Sequence, residues 1–231
     1  METIKNALYL NLIKDDRYMY LVDGLKNTMT ITLFATIIGI AIGLLLALIR
    51  ITYDNTKKFK VLNMFAQVYI TVIRGTPVII QLMILFFCIL TSRNASGILI
   101  AILGFGLNSA AYVAEIFRSG LMSIDVGQME AGRSLGLSYG QTLKLIIIPQ
   151  AFKIVLPALC NEFIVLIKET SVAGYVAVKD LTKGGDIIRS RTYDAWTPLL
   201  IVAAIYLILT CIFSVLAKKL EVSLRKNERK A

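Results

Sequence analysis

The sequence contains no histidine, one tryptophan, four prolines and three cysteines. The absence of histidine excludes the Ser-His-Asp triad and removes the most common ligand of zinc sites. Cys88, Cys160 and Cys211 each stand alone within an apolar run. This pattern is typical of small packed hydrophobic residues rather than of disulfides or metal ligands. We therefore expect neither a metal site nor catalytic residues in this chain.

Charged residues are also scarce, and the hydrophobic residues come in long runs. Of 231 residues, 17% are charged and 57% are hydrophobic, whereas globular proteins carry roughly 25% charged residues. A helix needs about 20 apolar residues to cross a bilayer core. We identify five such spans, at residues 28–49, 61–90, 98–117, 154–178 and 195–217. The sequence therefore predicts an all-α integral membrane protein with a transmembrane domain at 28–217.

The net charge of +10 lies beside these apolar runs and in a basic tail at residues 218–231. Such placement is typical of segments that face anionic lipid headgroups. Nucleic-acid binding would require aromatic or groove-reading neighbours, which this sequence lacks. The loop after the first span carries four Lys and Arg residues, whereas the loop before the third carries only Arg93. By the positive-inside rule, the amino-terminal segment 1–27 is extracytoplasmic and the tail is cytoplasmic.

The segment 118–153, between the third and fourth spans, is too polar to cross a membrane. Within it, two polar residues are each followed three positions later by glutamine, the spacing of a capping box: Asp125 and Gln128, Ser138 and Gln141. Gly136 is suited to the left-handed conformation that ends a helix. Pro149 lacks an amide and should kink or restart a helix. This pattern predicts two short helices at the cytoplasmic membrane surface.

The same segment contains a recognisable motif. Glu130-Ala131-Gly132, Gly136, and Ile146 to Pro149 resemble the EAA loop of ABC importer permeases. The surrounding sequence resembles one branch of these permeases, the polar amino-acid (histidine-, glutamine- and arginine-type) family. The stretches that carry this second likeness, in chain order, are Arg74 to Pro77 with Gln81, Ala111 to Glu115, Gly127-Gln128, Pro149 to Ala151, and Asn161 to Ser171.

The resemblance implies a type I ABC importer permease whose loop docks a separate ATP-binding subunit. The residues that it implies for docking are Glu130, Ala131, Gly132, Gly136 and Pro149. The family usually has alanine at the position of Gly132, which keeps that residue small. No Walker A pattern occurs in the sequence. We therefore expect a transport subunit that is not an enzyme and binds no cofactor, with ATP bound by its partner.

Further partners and the cargo also follow from the resemblance. Five helices enclose too little space for an alternating-access pathway, so a second permease chain, identical or similar, is expected. Two ATP-binding subunits and an extracytoplasmic amino-acid-binding protein would complete an importer in the bacterial plasma membrane. The implied cargo is a polar L-amino acid: glutamine or glutamate, a basic amino acid, or cystine.

Ionisable residues within membrane spans usually face a cavity or a partner, because their insertion is costly. Arg74 lies at the Gly75/Pro77 break of the second span, and broken helices expose backbone groups to substrates in transporters. With the amides near Gly75 and Thr76, Arg74 is a candidate for holding a substrate carboxylate. The alternative is that Arg74 snorkels or pairs with Glu115 to stabilise the bundle.

Two neighbours on the fourth span are the other candidate substrate ligands. Glu162 is suited to an ammonium group or a cationic side chain, and Asn161 to an amide; the alternative is a structural pair with a neighbouring helix. A rival function is an ion-coupled secondary amino-acid carrier, in which Glu115, Glu162 and Glu169 relay protons. Such a carrier would need neither the EAA-like loop nor an ATPase.

Overall fold

The computed structural model describes residues 2–91 and 96–226. Within these residues the chain forms helices joined by short turns, without a β-strand. The α-helices are α1 (Glu2–Leu8), α2 (Tyr18–Thr56), α3 (Lys60–Gly75), α4 (Val78–Ile84), α5 (Gly97–Met122), α6 (Val126–Ser134), α7 (Tyr139–Thr142), α8 (Ile148–Glu169), α9 (Leu181–Thr192) and α10 (Trp196–Lys226). Shorter π- or 3-10-helical pieces are Tyr9–Ile13, Lys14–Asp16, Leu85–Ile89, Leu143–Ile147 and Thr170–Val176.

Among the described residues, four helical runs are long and apolar enough to cross a membrane. They are α2, α5, the run Tyr139–Val176 and the part Trp196–Leu224 of α10. A fifth span results if Lys60–Gly75 and Val78–Ile89, which are bent by 110°, count as one broken helix. These runs confirm the predicted all-α membrane fold, and the break falls where the sequence predicted it.

The long helices extend beyond the predicted apolar spans. Helix α2 has 39 residues and begins at Tyr18, within the predicted amino-terminal segment. Helix α10 continues to Lys226, well into the predicted basic tail. Two parts of the predictions lie outside the described residues. They are residues 227–231 of the tail, and Arg93, which was counted among the loop charges.

The amino-terminal segment packs against the turn between α9 and α10. Asn11 is fully buried, and its Nδ2 atom donates a hydrogen bond of 2.8 Å to Asp194 Oδ2. The guanidinium group of Arg191 lies over the Tyr20 ring, 4.9 Å from the ring centroid. The chain start and the α9–α10 turn therefore lie at the same end of the bundle.

Helices α2 and α5 pack along each other, and small residues bring their backbones close. A Cβ atom on Gly43 would lie 2.7 Å from the Val113 Cβ atom, and one on Gly39 would lie 2.9 Å from the Ser109 hydroxyl oxygen. Gly39 and Gly43 thus form a GxxxG pair of the kind that membrane helices use for close approach. This contact fixes the position of α5, which carries the polar residues described below.

The polar loop after α5 begins as the sequence predicted. The Asp125 side chain accepts a hydrogen bond of 2.7 Å from the Gly127 amide at the start of α6. Gly136 follows α6 with a φ of +87°, which is the left-handed conformation predicted for it. The reciprocal capping box predicted at Asp125 does not form, because Asp125 caps the Gly127 amide rather than that of Gln128, and the Gln128 side chain accepts a hydrogen bond of 3.3 Å from Gln150 Nε2.

The second half of the loop differs from the prediction. The capping box at Ser138 is complete, since Ser138 N donates to Gln141 Oε1 at 2.8 Å and Gln141 N donates to Ser138 Oγ at 3.3 Å. Helix α7, however, continues through the π-helical piece Leu143–Ile147 into α8. Helix α8 starts at Ile148 with Pro149 in its first turn, but the backbone is helical through Ile147 and Ile148, so Pro149 does not restart a separate helix. The loop is therefore one short helix followed by the start of a long helical run, not two separate short helices.

Candidate functional site

The break between α3 and α4 is held by the side chain of Gln81. Its Nε2 atom donates hydrogen bonds to the Ile73 carbonyl at 2.8 Å and to the Thr76 hydroxyl at 2.7 Å. Its Oε1 atom accepts a hydrogen bond of 2.9 Å from Asn108 on α5. The last carbonyls of a helix have no partner within the helix, and Gln81 satisfies one of them. Because Asn108 is buried, the link fixes the break against α5.

Arg74 and Gly75 line an open cleft of about 460 Å³ beside the second half of α5. The other lining residues are Arg50, Ile70, Thr71, Tyr112 and Glu115. The guanidinium group of Arg74 lies over the Tyr112 ring, 5.4 Å from its centroid, at a distance typical of cation–π contacts. Thr76 is not among the lining residues, and its hydroxyl is engaged within the break. The cleft can therefore present the Arg74 charge to a ligand.

Glu115 pairs with two arginines, and neither of them is Arg74. Its carboxylate accepts a hydrogen bond of 3.1 Å from Arg118 Nε, and Arg118 Nη2 also contacts it. Arg50 Nη1 lies 3.5 Å from Glu115 Oε2. The suggested pair between Arg74 and Glu115 is absent among the described residues. Arg50 and Arg118 were not identified from the sequence, because both lie at span ends, where lipid headgroups also explain a positive charge.

The side chains of Glu162 and Asn161 face different sides of α8. Glu162 is 9% exposed, and its Oε1 atom accepts a hydrogen bond of 2.8 Å from the Ser109 hydroxyl on α5. Asn161 is exposed, since successive side chains of an α-helix point about 100° apart. Neither residue lines the Arg74 cleft. The predicted substrate residues therefore occupy at least two separate places in a single chain.

Nothing in the part of the chain that the structure describes supports the proton relay. Glu115 is held by arginines, whereas Glu162 is bonded to Ser109. Among the described residues, no hydrogen bond connects these two carboxylates with each other or with Glu169. The three acidic residues thus form no continuous hydrogen-bonded path.

Most of the predicted docking residues lie on the surface of the loop. Those that are exposed are Glu130, Ala131, Gly136 and Pro149. Large apolar side chains around α6 are exposed as well, namely Met122, Val126 and Leu135. Leu135, directly before Gly136, is 82% exposed. Exposed apolar side chains that lie close together mark contact sites for other proteins or for membrane.

Gly132 is the exception among the predicted docking residues, because it is buried. A Cβ atom at this position would contact the Thr142 side chain and lie 3.1 Å from Ile146 Cδ1. Its small size therefore lets α6 pack on the helical run that follows. This packing explains why glycine, rather than a larger residue, occupies a position that the sequence assigned to the ATPase contact.

Comparison with known proteins agrees with this architecture. Residues 24–226 match the family described as binding-protein-dependent transport system inner membrane component. The chain belongs to this family. The arginine transport system permease protein ArtQ of Bacillus subtilis is 36% identical over 211 residues, which are 90% of this chain and 94% of ArtQ. The L-cystine transport system permease protein TcyB of the same species is 33% identical, over 95% of this chain and 92% of TcyB.

A solved structure shares the fold of the permease. It is described as the crystal structure of an amino acid ABC transporter with histidines, and it superposes with a TM-score of 0.83 at 39% identity. The match covers 89% of this chain and 94% of the other. The family and the apolar helices together confirm the expectation of a multi-pass inner-membrane permease of the ABC importer type.

Proposed function

We propose that this permease is the membrane subunit of an ATP-driven importer for a polar L-amino acid. The observation that carries the proposal is the likeness to relatives over at least 90% of the chain, since these relatives are named as permeases for arginine and for L-cystine. The structure of similar fold is likewise described as an amino acid ABC transporter. Glutamine, glutamate, basic amino acids and cystine remain the candidate cargoes.

The segment 118–153, here called the α6 loop, is the proposed docking site for an ATP-binding subunit, of which the importer contains two. In this proposal the loop and the basic tail are cytoplasmic, and the amino-terminal segment is outside, in line with the positive-inside rule. Glu130, Ala131, Gly136 and Pro149 contact the ATPase, while Gly132 fixes the angle of α6 through its packing on Thr142. A second permease chain and an extracytoplasmic amino-acid-binding protein complete the assembly.

The candidate substrate residues divide between two positions along the proposed pathway. Arg74, which lines the cleft together with Gly75, receives the carboxylate of the amino acid. Glu162 receives its ammonium group or a cationic side chain, and Asn161 an amide. Because the Arg74 cleft and Glu162 are apart in a single chain, we assign them to successive stages of transport.

Uptake by proteoliposomes tests the proposed function. Vesicles containing the permease and the ATPase, supplied with the binding protein, should accumulate L-glutamine, L-arginine or L-cystine only when ATP is hydrolysed. Ionophores that collapse proton and sodium gradients should leave this uptake unchanged. Uptake driven by an ion gradient in vesicles that lack the ATPase would contradict the proposal and favour the ion-coupled carrier.

A further inference from the structure

A second arginine faces the cleft that contains Arg74. Arg50 of α2 and Arg74 of α3 both line this cleft, so its two guanidinium groups come from different helices. The Nη1 atom of Arg50 lies 3.5 Å from Glu115 Oε2, but its Nε atom is buried and has no hydrogen-bond partner. A buried donor without an acceptor is unfavourable, and native structures rarely leave one unsatisfied. The contact of Arg50 with Glu115 therefore does not use all the donors of its guanidinium group.

The charges around the cleft do not cancel. Arg50, Arg74 and Arg118 supply three positive charges, whereas Glu115, together with Asp54 near Arg118, supplies two negative charges. Arg118 already contacts the Glu115 carboxylate through both Nε and Nη2. Arg50 makes the longer contact with it, and Arg74 stacks on Tyr112. An anion that enters the cleft would thus meet two guanidinium groups whose positive charge Glu115 does not fully neutralise.

We propose that Arg50 and Arg74 together form the carboxylate subsite for the amino-acid cargo. This inference rests on the proposed function, which supplies an amino acid as the cargo and involves Arg74 alone among the arginines. The planar guanidinium group matches the geometry of a carboxylate, to which it can donate two parallel hydrogen bonds. The cleft volume of about 460 Å³ accommodates one amino acid. Glu115, which also lines the cleft, holds Arg50 in position.

The location of this subsite indicates when it acts. Arg50 and Glu115 each lie in the last two turns of their helices, α2 and α5, and α5 leads directly into the α6 loop. In the proposed orientation this end of the bundle is cytoplasmic. The subsite therefore receives the carboxylate late in transport, before the amino acid leaves. The phosphate of an anionic lipid has similar chemistry, and the experiment must distinguish it from the cargo.

The test measures binding of radiolabelled L-arginine and L-glutamine to the assembled permease–ATPase complex in phosphatidylcholine nanodiscs, without the binding protein. Each amino acid competes against its own carboxamide, which lacks the carboxylate charge. The wild-type complex should bind the acid at least about tenfold more tightly than the amide, as expected for a charge-assisted hydrogen bond. Arg50→Gln should bring the ratio of the two affinities, that for the acid divided by that for the amide, close to one.

Two further variants make the result specific. Arg50→Lys keeps a positive charge beside Glu115 but lacks the planar fork, so the ratio should fall part of the way. It also provides the test if Arg50→Gln fails to assemble. Lys57→Gln removes a positive charge from the same end of α2, from a residue that does not line the cleft. Its ratio should equal that of the wild type.

An unchanged ratio in an assembled Arg50→Gln or Arg50→Lys complex would overturn the proposal. The binding is repeated with phosphatidylglycerol in the discs. If the wild type binds phosphatidylglycerol in a manner that depends on Arg50 but shows no preference for the acid over the amide in phosphatidylcholine discs, the occupant is a lipid phosphate, and the carboxylate assignment is wrong. ATP-driven uptake by a wild-type complex that shows no preference for the acid would refute the subsite alone. Absence of ATP-driven uptake would contradict the proposed function instead.

Discussion

The side-chain amide of Asn108 donates a hydrogen bond of 2.9 Å to Gln81 Oε1, one turn after the break between α3 and α4. Gln81 in turn donates to the Ile73 carbonyl and to Thr76. One side chain thus connects the end of α3, the first turn of α4 and the middle of α5. The interior of a membrane offers no water to satisfy a broken helix. This link supplies the missing partners and holds the break against the bundle.

Replacing Gln81 by alanine should lower the stability of the permease by about 1–3 kcal/mol, because a buried Asn108 and a helix-end carbonyl would lose their partner. Thermal unfolding of the purified protein in detergent measures the change as a lower melting temperature. Gln67→Ala is the matched control, since Gln67 is an exposed glutamine of α3. Equal losses in both variants would show that the link has no special role.

A methyl group at Gly43 should separate α2 from α5. Its Cβ atom would lie 2.7 Å from Val113 Cβ and 2.8 Å from the Ala110 carbonyl oxygen. We expect Gly43→Ala to be destabilised by about 1–3 kcal/mol through overpacking, measured again as a melting temperature. At Gly75 the added atom would meet nothing within 4 Å, so Gly75→Ala should melt close to the wild type. A stable Gly43→Ala protein would contradict the close helix contact.

Gly136→Ala should loosen the α6 loop, because an L-residue in the left-handed conformation costs about 1–2 kcal/mol. The backbone at Gly136 has a φ of +87°. We expect weaker co-purification of the ATP-binding subunit, with membrane insertion unchanged. Gly140→Ala lies in the same loop, but within helix α7 and with open space around it. It should retain normal assembly, and impaired assembly of both variants would point to a general effect of loop substitutions.

Charge reversal tests the contact with the ATPase more directly. Glu130→Lys reverses the charge on the exposed surface of α6 and should weaken ATPase binding at least about tenfold, because the charged contact proposed for Glu130 would be lost. Binding of the isolated ATPase to nanodiscs containing the permease measures this affinity. Asp54→Lys makes the same reversal at the end of α2, on another exposed residue. ATPase affinity that stays at the wild-type value in Glu130→Lys would remove Glu130 from the docking site.

Asp180, at the start of α9, should make stability depend on pH. Burial raises the pKa of this carboxyl group, although the amides of Lys183 and Thr182 donate to it. The pKa of Asp180 is thus higher in the folded than in the unfolded protein. The stability that Asp180 contributes is fully present below the usual pKa of 3.8 and is lost as the pH rises through the folded pKa. Asp180→Asn keeps an oxygen acceptor but no charge. Its melting temperature should therefore fall less than that of the wild type as the pH is raised from about 4 to about 7.

Asp186 provides a control, because its pKa is shifted in the opposite direction to that of Asp180. Hydrogen bonds from Arg189 and Lys183 lower its pKa, so its contribution to stability is present above the usual aspartate value and is lost on acidification. Asp186→Asn should therefore reduce stability at neutral pH and make little difference at low pH. The same pH profile in both variants would contradict the assignment for Asp180.

The features that the sequence predicted correctly depend on local chemistry. Pro77 has no amide and lies two residues after Gly75, so a break in an apolar run is expected there. Gly136 ends α6 because glycine adopts the left-handed conformation readily. The membrane spans are visible from length and apolarity alone. These signals require no knowledge of which helices touch.

The features that were missed depend on long-range packing. Arg50 has the same sequence context as a charge that faces lipid headgroups, and only the approach of α2 to α5 places it beside Glu115. Asn161 and Glu162 are adjacent in sequence, but helical rotation sends one to the surface and the other toward Ser109. Gly132 belongs to a surface motif, yet it contacts Thr142 of its own chain. No local pattern determines such pairings.

One helical run from Tyr139 to Val176, which contains a π-helical turn and Pro157, joins the end of the α6 loop to Glu162. Between Tyr139 and Glu162 this rod extends about 35 Å at 1.5 Å per residue. A push along its axis at the loop reaches Glu162 almost undiminished, because a hydrogen-bonded helix hardly compresses. A sideways push is partly absorbed at the π-helical turn before Pro149, where the regular ladder is interrupted. The direction in which the loop is displaced therefore decides how much of that displacement reaches Glu162 in the membrane interior.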